Sequence, residues 1–362
     1  MELGITGIGI VSPLGVGKEI NWKRLISSES QVRYNNVFDI YTASVEDFKI
    51  QDNLRQYEMA KTAISEALQE ANIENIKRDE IGLCVGESKP NLFNKTFLFE
   101  NSLLEKLKKT FQCHSETSSI SAACATGILT IIRGCKLIEM GLYNAIICGC
   151  TETSIHPLYV AGFKNMGVLT KHEPSPFDVS SDGFAIGEGA CFVVIENIER
   201  ALARKAKIYC EIKGAVSGIY SDNALSINSH IKMKEIIKRA VNLQRPDYIH
   251  MHGTGTKLND YNESKAVSEA FENAERISLS STKAATGHML GVSGMMGTAF
   301  SALAMQNNIV PPTLNFKQTN INLGLDYTPN IAKEKIINST LTLSFGFGGQ
   351  GSTLFLKKHR SN

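Results

Sequence analysis

The sequence predicts an α/β protein made of two copies of one unit. Three observations lead there. Short β-rich runs alternate with amphipathic stretches along the whole chain, the pattern of layered α/β architecture. A small-residue segment introduces an apolar helix twice, at Ser118-Ser119-Ile120-Ser121-Ala122-Ala123-Cys124-Ala125-Thr126-Gly127 and at Ser280-Ser281-Thr282-Lys283-Ala284-Ala285-Thr286-Gly287-His288. Each half also closes with a glycine-rich turn into an apolar strand. These are Asp182–Gly189 before Ala190–Glu196, and Phe345–Gly351 before Ser352–Leu356. Chance likeness of small-residue loops is the competing reading.

Taken in order, the strands are expected at Leu3–Val11, Ile81–Val85, Ala145–Cys148, Ala190–Glu196, Ile208–Ala215, Tyr248–His252 and Leu341–Phe345. Helices are expected at Tyr57–Ala71, Thr126–Met140, Lys232–Asn242, Asn262–Phe271 and Val292–Met305. The opening strands Leu3–Val11 and Ile208–Ala215 are comparable, which puts the boundary near Arg200–Ile208 and divides the chain into 1–204 and 205–362. No Pro- or Ser-rich linker separates the halves, so they are expected to share an interface.

At 362 residues, 43% hydrophobic and 20% charged, the chain is long enough for a substantial core and has globular composition. A net charge of +2, with no basic stripe carrying interleaved aromatics, argues against nucleic-acid binding. No apolar run approaches the ~18 residues of a membrane span. The opening Met1-Glu2-Leu3-Gly4 has no basic flank, so it does not read as a secretory signal. None of the eight cysteines forms a C-x-x-C pair, and free thiols point to a reducing cytoplasm.

Cys124 stands where a small-residue loop meets a helix. Unpaired backbone N–H groups at such a terminus stabilise a thiolate and can bring a Cys pKa down to roughly 3.5–7.5. A buried structural cysteine is the plainer reading, but two histidines change it. His252, in His250-Met251-His252-Gly253-Thr254-Gly255-Thr256, and His288, after Gly287, both sit at loop junctions beside glycines. His250 and His252 share a strand face, yet no carboxylate or Cys of ligand spacing adjoins them, so no metal is expected. Gly346-Phe347-Gly348-Gly349-Gln350-Gly351 has the form G-x-G-x-x-G, but a strand-like run follows it rather than a helix, which rejects a dinucleotide site. Nearly bare glycines are better suited to presenting N–H groups to an oxyanion.

With these residues in hand, the chain resembles the β-ketoacyl-[acyl carrier protein] synthases of elongation type, in the thiolase superfamily. The likeness runs from Gly4-Ile5-Thr6-Gly7-Ile8-Gly9 through Ala123-Cys124-Ala125, Pro176-Phe177-Asp178, His252-Gly253-Thr254-Gly255-Thr256, Ser281-Thr282-Lys283, Gly287-His288 and Val310-Pro311-Pro312-Thr313 to Ser344-Phe345-Gly346-Phe347. The resemblance implies a thiolase-like fold of duplicated α/β units in five α-β-α-β-α layers. It implies a decarboxylative condensation in which Cys124 carries the acyl group and His252 and His288 stabilise the malonyl enolate. Lys283 would order the site with Glu263 and Asp260, and the N–H groups of Cys124 and Phe347 would form an oxyanion hole. Thr254 and Thr256 would hold the pantetheine arm, and Phe163 and Phe347 resemble gating aromatics, with core packing as the alternative for Phe163. No cofactor is implied beyond the phosphopantetheine of the carrier protein. Arg55, Lys61 and Lys164 are candidates for docking that acidic carrier.

A homodimer is implied, with a heterodimer open. The alternative function is a non-catalytic chain-length partner in such a heterodimer, although partners of that kind usually lack the Cys. Three departures stand out: the stretch 86–119 is short for the family, Gly297 replaces a usual Glu near Lys283, and Gln350-Gly351 replaces Thr/His-Asn.

Overall fold

In the computed structural model, residues 1–73, 80–92, 103–113, 118–219 and 229–360 are described. The first half contributes strands β1 (Leu3–Ser12), β2 (Ile81–Gly86), β3 (Ser118–Ile120), β4 (Ala145–Glu152) and β5 (Gly189–Asn197). The second contributes β6 (Cys210–Ile219), β7 (Tyr248–His250), β8 (Ser278–Ser280), β9 (Ser339–Gly346) and β10 (Gln350–Lys357). They lie in the order β8-β7-β9-β10-β6-β1-β5-β4-β2-β3. Outward from the centre, each strand of one half therefore meets its counterpart five numbers on in the other. Directions repeat as well. β2 is parallel to β3 and β4, as β7 is to β8 and β9. β5 runs antiparallel to β4 and β1, as β10 does to β9 and β6. Antiparallel pairing of β1 with β6 joins the halves.

Side-chain alternation along the strands sets the layers. On β4, Ile146, Cys148 and Cys150 pack with the central helices α2 (Thr126–Glu139) and α6 (Gly291–Asn307), while Ala145 and Ile147 face outward. The outward face is covered by helix α1 (Asp52–Ala71) through Met59, Ala63, Ile64 and Ala67. In the second half Ile249, Leu341 and Phe355 face outward onto α3 (His230–Val241) and α4 (Lys257–Ala270), through Ile236, Ile237 and Val267. The result is the expected five-layer arrangement, helix–sheet–helix–sheet–helix. α6 is buried from Gly291 to Met305 and carries no charge, as an inner layer requires. It crosses α2 so closely that a Cβ on Gly127 would stand 2.5 Å from the Met295 nitrogen. That contact brings the two helix N-termini together, and with them the loops carrying Cys124 and His288.

The expected helix Asn262–Phe271 starts earlier, at Lys257, with Thr256 in N-cap position. The expected strand Tyr248–His252 ends at His250, which frees His252 for the loop. β3 and β8 are three-residue, Ser-rich strands without an apolar run to announce them. Of the shortened 86–119 stretch, 93–102 and 114–117 lie outside the described residues. Among the described residues no helix is long and apolar enough to cross a membrane.

Candidate active site

Cys124 lies on a tight turn. Ala123 before it adopts left-handed backbone at φ 49°, a strained conformation for a residue bearing a Cβ. Thr126 locks the turn, its hydroxyl donating to the Ala123 carbonyl at 2.6 Å and accepting the Ala122 N–H at 2.8 Å. From the other half, the Ser344 hydroxyl donates to the Cys124 carbonyl at 2.7 Å. Gly346 presses in beside it, where a Cβ would stand 2.9 Å from the Cys124 nitrogen. The nucleophile candidate is thus held by both halves of the molecule.

His288 Nε2 lies 3.2 Å from the Cys124 sulfur, and its Nδ1 is 2.8 Å from the Ser293 hydroxyl. The His252 ring stands edge-on to His288 at 5.5 Å between centroids. Donor atoms of Cys124, His252 and His288 all lie within 4.8 Å of one another. His252 Nδ1 is buried with no hydrogen-bond partner among the described residues. Burial, then the positive charge of Lys283, hold both imidazoles well below their ordinary pKa, so both are neutral. The same ammonium opposes a metal cation on the three donors.

The Cys124 thiol departs from the expectation of an acidic cysteine. Burial pushes it up to about 11, with Lys89 and Lys283 pulling down and Glu152 pushing up. The helix begins only at Thr126, with Ala125 as its cap, and desolvation outweighs what its terminus contributes. The resting sulfur is a thiol beside a neutral imidazole.

Lys283 opens the short helix α5 (Lys283–Thr286), and its ammonium donates to the His252 carbonyl. Glu263, one turn into α4 beyond Asp260, accepts the N–H groups of His252 and Gly253. Asp260 accepts those of Phe177 at 2.7 Å and Gly255 at 3.2 Å. Burial raises Asp260 to about 6 and also raises Glu263, while it lowers Lys283. Asp260 and Glu263, the expected supporting residues, therefore act on the backbone around His252, whereas Lys283, expected in the catalytic set, bonds the His252 carbonyl and also bears on its ring through its charge. Gly297 makes room for His250, since a Cβ there would stand 2.6 Å from His250 Nδ1. His250 Nε2 lies 3.1 Å from the Thr282 hydroxyl, next to Lys283.

A cavity of about 200 Å³ opens onto Cys124, His252 and His288, and Thr254, Thr256 and Phe347 line it. The two threonine hydroxyls lie 2.9 Å apart. Phe163 is not among the lining residues. It packs edge-on against Phe184 at 5.6 Å, and Phe184 in turn stands 4.9 Å from the His288 ring and lines the cavity. The sequence reading missed Phe184 and Ser293. Ser293 had one available signal, its place five residues after His288 at the start of α6.

Arg55 is not a free surface cation. Its guanidinium ion-pairs with buried Glu188 at 2.5 Å and donates to the carbonyls of Val45 and Phe48. Lys61 is partly exposed and pairs with Glu58 at 3.3 Å, and exposed Lys164 reaches the Phe38 carbonyl at 2.5 Å.

Residues 36–201 match "Beta-ketoacyl synthase, N-terminal domain" and residues 209–317 match "Beta-ketoacyl synthase, C-terminal domain". The chain is 33% identical to a putative mitochondrial 3-oxoacyl-[acyl-carrier-protein] synthase of Schizosaccharomyces pombe, over 98% of each chain. It is 32% identical to 3-oxoacyl-[acyl-carrier-protein] synthase 2 of Rhizobium meliloti, again over 98% of each. Among solved structures, a type II polyketide ketosynthase in complex with its acyl-carrier protein superposes with a TM-score of 0.92 at 25% identity, covering 99% of both chains. A ketosynthase/chain length factor from ishigamide synthesis superposes at 0.90 with 24% identity, covering 99% of both chains.

Proposed function

The chain belongs to the β-ketoacyl synthase family, and from that premise we propose that Cys124, His252 and His288 form its catalytic centre. The enzyme is an acyltransferase that condenses an acyl group with malonyl-[acyl carrier protein], releasing CO2 and a β-ketoacyl-[acyl carrier protein], in fatty-acid or polyketide synthesis. The observation that carries the assignment is the convergence of one sulfur and two neutral imidazoles on one cavity.

In the first step the Cys124 sulfur attacks the acyl thioester. A carbon–sulfur bond forms, and the pantetheine sulfur leaves with the proton that Cys124 passes to His288 Nε2. In the second, malonyl thioester loses CO2 and negative charge grows on its carbonyl oxygen. N–H donors from His252 and His288 meet that oxygen, and neutral rings suit the task because the charge is absent from the bound malonyl thioester carbonyl and develops as CO2 leaves. The carbanion then attacks the acyl carbonyl, a carbon–carbon bond forms, the bond to Cys124 breaks, and the sulfur regains one proton taken up from solvent. The Ser293 hydroxyl can accept from Nδ1–H or donate to bare Nδ1, so it serves both tautomers of His288. N–H groups of Cys124 and Phe347 hold the oxyanion at the acyl carbonyl. Lys283, with Glu263 and Asp260, fixes the His252 loop, and Thr254 and Thr256 face the pantetheine arm.

The enzyme needs no metal or cofactor of its own beyond the phosphopantetheine of its carrier-bound substrates. Lys61 and Lys164 are the remaining docking candidates for the acidic carrier, and we place the protein in the cytoplasm, where its eight free cysteines fit. Units 1–204 and 205–362 divide the labour, the first supplying the sulfur and the second both imidazoles. The protein is proposed to work as a dimer, with itself or with another ketosynthase-like chain. A purely chain-length-setting role has less support, since the nucleophile and both imidazoles are present. Incubation with an acyl-carrier donor followed by intact-mass analysis tests the assignment. An acyl adduct is expected on the wild type and none on Cys124→Ala, and an adduct that survives the substitution removes Cys124 from its role.

A further inference from the structure

A second charged cluster lies beside the reactive centre, on the loop that follows β2. The Glu87 N–H donates to the Ile120 carbonyl at 3.1 Å and the Ser121 hydroxyl to the Ser88 carbonyl at 3.4 Å. Those two bonds fix this loop to the segment that leads into Cys124. Glu152, at the end of β4 and 1% exposed, accepts the Ser88 N–H at 2.6 Å, and its second oxygen stands 3.6 Å from the Lys89 ammonium. The first oxygen occupies the space beside Gly291, three residues after His288, where a Cβ would come within 2.7 Å of it. The Lys89 ammonium also lies over the Tyr159 ring at 4.9 Å and the Phe163 ring at 5.8 Å. From Phe163 the packing runs through Phe184 to His288 and so to the sulfur.

We propose that Lys89 is a positioning residue for the nucleophile, its ammonium anchored by Glu152 and two aromatic rings so that it favours the anionic form of the Cys124 sulfur during acyl transfer. The inference rests on Cys124 being the nucleophile. Among the described residues, Lys89, Lys283 and Glu152 are charged groups acting on that sulfur, and the two imidazoles beside it are neutral. Around Lys89 itself stand Glu152, Glu87 and Tyr159. Burial and Glu152 raise Glu87 to about 7, so near neutrality Glu87 is partly protonated and Glu152 is the main counter-charge. Burial raises the Tyr159 hydroxyl to about 12, which keeps it neutral.

The test is the rate of Cys124 alkylation by iodoacetamide, read by mass on the full-length protein between about pH 7 and 9, below the thiol's midpoint. Lys89→Met is expected to slow alkylation about tenfold at each pH, equivalent to a midpoint raised by about one unit. Lys89→Arg should retain the wild-type rate, because it keeps the positive charge beside Glu152 and the two rings. A Lys89→Met rate equal to wild type overturns the proposal. So does a Lys89→Arg variant as slow as Lys89→Met. Should Lys89→Met fail to fold, Lys89→Gln, neutral but polar, is read in its place: it is expected to be as slow, and a wild-type rate overturns the proposal. Alkylation needs no carrier and no condensation, so failure here is separable from an acyl adduct that persists in Cys124→Ala.

Discussion

At the scale of single residues, a buried thiol shares a contact with a neutral imidazole. Because burial lifts Cys124 to about 11, its thiolate fraction is small near neutrality and grows with pH. Iodoacetamide alkylation of the free enzyme should therefore rise about tenfold per pH unit from pH ~7 upward. A plateau below pH ~8, seen by intact mass, would show an acidic cysteine instead. The sequence places Cys124 at a helix terminus and so expects an acidic thiol, and burial gives its shift the opposite sign. A helix terminus is legible from small residues followed by an apolar run, but the depth of burial depends on Ser344 and Gly346, some 220 positions away. His288 and His252 were legible from their glycine-flanked loops. Ser293 was not, because a serine at a helix start reads first as capping chemistry. Ser293→Ala should lower malonyl-carrier decarboxylation about tenfold while leaving melting temperature nearly unchanged, as CO2 release and thermal unfolding would report.

Elements position these side chains, and strand edges do most of it. β9 ends at Gly346 against the nitrogen of Cys124, so Gly346→Ala must push the Phe347 turn or the Cys124 turn aside. Displacement near 1 Å at a reacting centre costs about a hundredfold, and kcat for condensation should fall by that order while the fold persists by circular dichroism. Arg55 belongs to this scale too. Its sequence signal, a cation in an amphipathic helix, is the same for a docking residue and for a structural ion pair. Glu188, 133 positions later, decides between them. Arg55→Met strands a buried carboxylate and should cost about 3 kcal/mol, lowering the melting temperature without raising the carrier-substrate KM of the folded enzyme. A raised KM at unchanged stability would restore Arg55 to the docking surface. The Ser-rich strands β3 and β8 escaped the sequence reading because hydrophobic alternation needs more than three residues to appear.

For the molecule as a whole, the duplication explains why the site exists. Matching loops before α2 and α6 bring Cys124 from one half and His288 from the other to the crossing of the two central helices. The paired motifs made this architecture visible in the sequence, since each half repeats the same order of small-residue loop, apolar helix and glycine-rich closing turn. What the sequence could not supply was where the halves touch, through the β1–β6 pairing and the close approach of Gly127 to Met295. The most direct test of a joint site follows the acyl group through one turnover. Wild-type enzyme acylated by an acyl-carrier donor is mixed with malonyl-carrier and read by intact mass. The account predicts that the acyl-Cys124 adduct disappears from the wild type as CO2 and a β-ketoacyl-carrier form. In His252→Ala, and in His288→Ala acylated by prolonged incubation with the donor, the adduct should persist, lost about 10²–10³-fold more slowly. Loss of the adduct at the wild-type rate in both histidine variants would contradict the account.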